Sequence, residues 1–73
     1  MTIKKFVNDN YQVTKIVGIG SNASAIVLKE SEINDEVRKA SKSEKYFVFK
    51  DWNMIERSID GENLKAYIDQ LSA

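Results

Sequence analysis

The absence of both cysteine and histidine from a chain of 73 residues is the strongest constraint on what it can fold into. With no disulfide and neither of the commonest structural metal ligands, the fold must be held by apolar burial and hydrogen bonds alone. At this length a single core leaves only ~3–5 kcal/mol of net stability. An apolar fraction of 42% is enough to build one such core, and 30% charged residues place the chain in the globular class. The expectation is a single small globular domain over residues 1–73.

The same absence bears on function. Without an imidazole or a thiol, the usual general base at neutral pH and the usual thiolate nucleophile are both missing. The expectation is a protein that is not an enzyme and carries no cofactor. Asp51, Glu56, Asp60 and Glu62 are carboxylates near the expected strand-to-helix junction, but they lack the spacing of a calcium loop and read as helix caps and solvated faces. No apolar run approaches the ~20 residues needed to cross a bilayer. Lys4 and Lys5 are not followed by the apolar stretch of a signal peptide, so a cytoplasmic location without membrane contact is expected. Asn22-Ala23-Ser24 then has no glycosylation context. Eleven basic and eleven acidic residues cancel, whereas nucleic-acid binders carry a basic excess that releases counterions from phosphate. A nucleic-acid partner is therefore not the first expectation.

Hydrophobic periodicity divides the chain. Residues 11–18 and 24–30 are rich in β-branched side chains, and Ile19-Gly20-Ser21-Asn22-Ala23 between them has turn composition, so the two read as a β-hairpin. Tyr46-Phe47-Val48-Phe49-Lys50-Asp51 reads as a central strand. Thr2 to Val7 reads as a further strand, ended by Asn8-Asp9-Asn10. Residues 31–43 read as a surface helix. Ser31 would be its N-cap, with Glu32, Asp35 and Glu36 early and Arg38, Lys39 and Lys42 late, matching the helix dipole. Asp35 and Lys39 would pair at i,i+4. The competing reading of this segment is a long mobile loop.

At the C-terminus, Leu64, Tyr67, Ile68 and Leu71 make a helical stripe behind an Asp60 N-cap. Trp52, Ile55 and Ile59 also have helical spacing, but nine residues separate Ile59 from Ile68, about half a turn out of phase at ~100° per residue. A break near Asp60-Gly61 resolves this, giving a short helix and then a longer one. The fold class expected is α+β: a small, mainly antiparallel sheet of three to four strands with a C-terminal amphipathic helix on one face. The expected order is β-β-β-α-β-α, with the short helix before the last.

Gly18-Ile19-Gly20-Ser21-Asn22-Ala23, set between two strand-like runs, resembles the glycine-rich loop of protein kinases, and Phe47-Val48-Phe49-Lys50 is similar to the strand whose lysine reaches phosphate in that family. The resemblance covers residues 11–50 at most. It implies backbone contact to phosphate. Ala23 stands where the third glycine would be, Ala25 replaces the usual valine, and the link to Lys50 is long. No catalytic loop or metal-binding Asp motif follows, so phosphoryl transfer is not implied. The plainer reading is a hairpin turn.

Two functional readings emerge. The first is a non-catalytic protein-protein interaction module, a regulator or inhibitor that docks on a larger protein. Strand alternation sets Phe47 and Phe49 on one face of the 46–51 strand and Tyr46, Val48 and Trp52 on the other. If the phenylalanines fill the core, then Tyr46, Val48 and Trp52 form the docking patch, since Tyr and Trp are favoured contact residues; the converse arrangement is equally open. The alternative is nucleic-acid or nucleotide-phosphate contact through Gly20, Ser21 and Asn22 of the Gly18-Asn22 loop and through Arg38, Lys39 and Lys42 of the basic 38–45 segment. The bland reading of that segment is the solvated, dipole-matched end of a helix.

Overall fold

Every strand of this protein pairs antiparallel, and every helix packs on the same side of the sheet they form. The structure, a computed structural model, describes residues 3–72. In chain order the elements are α1 (Ile3–Asn8), β1 (Tyr11–Val17), β2 (Ser24–Val27), α2 (Glu30–Lys39), β3 (Lys45–Lys50), β4 (Asn53–Asp60) and α3 (Gly61–Leu71). A single 3-10 turn at Gly20–Asn22 joins β1 to β2. The sheet order is β2-β1-β3-β4. This is the α+β class expected, with a four-stranded antiparallel sheet and the last helix C-terminal.

Two elements differ from the sequence expectation. The N-terminal segment is a helix, not a strand; Thr2, its expected first residue, lies outside the described residues. Ile3, Phe6 and Val7 fall at i, i+3 and i+4, so a helix puts all three on one face, and Ile3 and Phe6 are fully buried. The expected short helix over Trp52, Ile55 and Ile59 is instead a turn at Trp52 followed by the strand β4. Register shifts between Tyr46 and Val48 and between Val48 and Phe49 place two extra residues in β4. These bulges break the period-two alternation and leave apolar residues three and four apart, a spacing that imitates a helix.

The remaining elements form for the reasons visible in the sequence. α2 takes up the first part of the expected 31–43 helix: it begins at Glu30, one residue before the Ser31 expected to cap it, and ends at Lys39, leaving Lys42 in the connection to β3. The carboxylate of Glu32 accepts the backbone N–H of Lys29 at 2.8 Å, closing the first turn. Lys39 pairs with Glu36 at 3.2 Å rather than with Asp35, because Glu36 faces the sheet and is already fixed there. α3 starts behind Asp60 as expected, although the Asp60 carboxylate bonds Lys45 instead of its own helix. The break between the two out-of-phase apolar stripes is a passage from strand to helix.

One cluster makes the core: Ile3, Phe6, Val13, Ile33, Val37, Tyr46, Val48, Ile59, Leu64 and Ile68. α1, α2 and α3 contribute the helix layer, and β1, β3 and β4 the floor. Phe6 stacks on Tyr11 with ring centroids 4.8 Å apart, and the Lys50 ammonium lies 4.3 Å from the Tyr11 ring centre.

Candidate functional site

The register decides which side chains meet the helices. Val13 is opposite Val48 and Lys15 opposite Tyr46, so the residues that share their face point into the helix layer. Tyr46 and Val48 have no exposed surface. The docking patch expected from Tyr46, Val48 and Trp52 is thus not assembled: two of its members are core residues, and Trp52 alone is on the surface, 62% exposed. The phenylalanines take the opposite side. The face left without helices carries Phe47 and Phe49 on β3, Thr14 and Ile16 on β1, Val27 on β2 and Met54 on β4. Phe47, Phe49 and Ile16 are half-buried, while Val27 and Met54 remain 48% and 45% exposed.

A polar group sits in the middle of this apolar face. Thr14 lies across from Phe47 on one side and from Val27 on the other, and its hydroxyl is buried from water. Its Oγ1 has no hydrogen-bond partner among the described residues. At the lower end of the face the Gln12 side chain ties two turns together: its amide donates to the Asn10 carbonyl at 2.7 Å, and its oxygen accepts the Trp52 N–H at 2.9 Å.

That bond holds Trp52 in an unusual place. Lys50 pairs with Asn53, so Asp51 and Trp52 form a two-residue hairpin loop, and both have positive φ, 51° and 65°. This is the geometry of a type I′ turn, for which Asn-Gly and Asp-Gly are favoured. A bulky side chain there is a backbone outlier costing ~1–2 kcal/mol, and such outliers cluster where function retains them.

On the helix side, Glu36 is the centre of the polar interactions. It accepts the Tyr46 hydroxyl, lies 3.1 Å from the Lys15 ammonium and 3.2 Å from that of Lys39. Burial alone would raise its pKa, but the hydrogen bonds from Tyr46, Lys15 and Lys39 outweigh this and hold it below the ordinary carboxylate value. Burial, followed by the bond to Glu36, pushes the Tyr46 phenol well above its usual range. Both shifts favour the ionised carboxylate and the neutral phenol that pair across this contact. Beside this network, a groove of about 550 Å³ lies between α2 and the β1–β2 hairpin, floored by Val17, Ile26 and Leu28.

The residues expected to contact phosphate are brought to one end of the sheet, since the β1–β2 loop and the C-terminal end of α2 share it. The loop itself is closed on its own backbone. Asn22 N–H bonds the Ile19 carbonyl at 3.2 Å and Ala23 N–H bonds that of Gly20 at 3.1 Å, so these amides do not face a ligand. Lys50 pairs with Tyr11, at the far end of β1 from the glycines, ~20 Å away at ~3.3 Å per residue. The kinase-like arrangement of loop and lysine is not formed. Lys39 is engaged by Glu36. No group of three or more His, Cys, Asp or Glu among the described residues could hold a metal ion, and no described helix is long and apolar enough to cross a membrane.

What sequence reasoning missed is the Phe47–Thr14–Val27 row. Its signal was present in the alternation of β3, but choosing between the two faces requires knowing which one the helices cover. Comparison with protein-family models, with curated proteins and with solved structures found no match.

Proposed function

We propose that the protein is a non-catalytic binding module that docks on a larger protein through the uncovered face of its sheet. The observation that carries this reading is the unpartnered apolar row of Ile16, Val27, Phe47, Phe49 and Met54, bordered by Trp52 in a strained turn. Among the described residues the ion pair on that face is Lys45 with Asp60, so the complementary surface is mainly apolar. Four strands ~4.8 Å apart and ~20 Å long offer about 400 Å², roughly half of one side of a standard interface. A partner that binds stably therefore reaches beyond the strands to Trp52 and Ile55.

The test is capture of a partner from an extract of the native host, identification, and reconstitution from purified proteins. Wild-type protein is expected to give a stoichiometric complex whose affinity varies little with salt, lost in Val27→Lys and Met54→Lys but retained in Asp35→Lys. A complex indifferent to Val27→Lys and Met54→Lys would overturn the reading. So would a homodimer in sedimentation that both substitutions dissolve, because the face would then be spent on a second copy.

A further inference from the structure

β2 is a sheet edge of four residues that relies on its shortness alone for protection. It bonds β1 on one side, and among the described residues no strand lies on the other. Leu28 N–H donates to the Val13 carbonyl at 2.9 Å. With the register Lys15 to Ile26 and Val17 to Ser24, this fixes the alternation: Leu28, Ile26 and Ser24 bond β1, and the backbone N–H and C=O of Ala25 and Val27 point outward. Its sequence, Ser-Ala-Ile-Val, holds no charge and no proline, and its pairing has no bulge. These are the devices that normally block an edge.

The groove beside this edge is electrically polarised. α2 follows β2 and runs back against it, so Glu32 and Asp35 stand toward the Leu28 end, and Arg38 and Lys39 toward the Val17 end. Ile26 forms the apolar middle of the floor. Edge donors, an apolar floor and a charge gradient therefore lie along one line.

We infer that β2 and the α2 groove together accept an extended peptide segment of a partner protein, added as a fifth, antiparallel strand with basic, apolar and acidic residues at alternate positions. Residues of a strand share a side every second position, and Ser24 to Leu28 spans ~13 Å, room for three side chains facing the groove. The basic one meets Glu32 and Asp35, the apolar one covers Ile26, and the acidic one meets Arg38. This polarity runs the peptide against β2, the direction of the stronger ladder. The site is separate from the uncovered sheet face and does not depend on it.

The probe is the peptide acetyl-Thr-Lys-Thr-Val-Thr-Glu-Thr-amide, compared with its charge-exchanged form carrying Glu before Val and Lys after it. Titration into the isotope-labelled full chain, with amide exchange at saturation, reads both affinity and position. The first peptide is expected to bind roughly tenfold tighter than the exchanged one, and to slow exchange at the amides of Ala25 and Val27. The double variant Asp35→Lys, Arg38→Glu is expected to reverse the preference, and Ala25→Pro, which removes one outward donor, to weaken both peptides. Equal affinity for the two peptides, no binding of either at millimolar concentration, or no protection of Ala25 and Val27 would overturn the inference. Protection that grows with protein concentration in the absence of peptide would overturn it too, assigning the edge to a second copy of this chain.

Discussion

Tyr46 donates its phenolic hydrogen to the carboxylate of Glu36 inside the core, joining the centre of the sheet to α2. Glu36 is the only charged residue of α2 turned fully inward, and Lys15 on the neighbouring strand balances it. A phenylalanine at position 46 could not satisfy that carboxylate, whereas Phe47 and Phe49 need no partner and can sit on the open side. The polar requirement of one helix residue thereby favours burial of the Tyr46 face of β3.

This arrangement sets the acid limb of stability. The folded pKa of Glu36 lies below its ordinary value of 4.5, so the unfolded chain takes up the proton first. The stabilisation is complete above the ordinary value and is lost as pH falls through the folded one. Glu36→Gln is expected to flatten urea-unfolding free energies across that acidic window. An acid limb identical to that of the wild type would assign the pH dependence to other carboxylates.

Trp52→Gly converts the β3–β4 loop to Asp-Gly, the residue pair suited to its positive φ angles. Relief of the left-handed cost is expected to raise stability by ~1 kcal/mol, seen as a higher urea midpoint with unchanged slope. The same variant should bind the docking partner more weakly. A fall in stability would mean that the indole contributes packing despite its exposure.

Thr14→Val tests the orphaned hydroxyl. Replacing a sealed, unbonded polar atom by an isosteric methyl is expected to stabilise the free protein by ~1 kcal/mol. Destabilisation on thermal unfolding would show that the hydroxyl is satisfied in solution, for example by an ordered water.

Ala40 and Gly61 should respond oppositely. Ala40 ends α2 with φ 48°, where the left-handed cost of ~1–2 kcal/mol exceeds the ~0.4–1 kcal/mol of unfolded-state entropy that glycine adds. Ala40→Gly is therefore expected to be stabilising. Gly61 lies against the α2–β3 connection, and a Cβ there would stand 2.4 Å from the Ser41 carbonyl oxygen. Gly61→Ala is expected to cost ~1–3 kcal/mol. Equal midpoints for the two variants would contradict both assignments.

Ile68 is fully buried at the centre of the α3 stripe. Ile68→Ala is expected to cost ~2–5 kcal/mol, enough to unfold much of a domain this small. A near-native melting curve by circular dichroism would place α3 outside the core.

The elements that could be read from the sequence are those whose local signals agree with their surroundings. α3 shows its stripe and its Asp60 boundary, α2 its charge order, and β1 and β3 their β-branched and aromatic runs. β4 was illegible for two reasons. Its bulges mimic helical spacing, and its turn carries Trp52 where the glycine of a hairpin signal would stand. The six residues of α1 support either period, and only the packing of Ile3 and Phe6 against neighbouring elements selects the helix. Of the candidate site, Trp52 was legible as a surface aromatic. The partition of Tyr46 and Val48 from Phe47 and Phe49 was not, since it depends on a hydrogen bond to a residue ten positions away.

The two bulges of β4 also limit how copies of this protein can assemble. A sheet that grows molecule by molecule needs a receptive strand at both borders, one to receive and one to offer. Here the β4 border is kinked twice along its length, while the β2 border is regular. Growth through borders can therefore join β2 of one molecule to β2 of another and then stops, because each joined pair presents only kinked strands outward. The regular β2 border is therefore not matched by a second regular border through which copies could add in series.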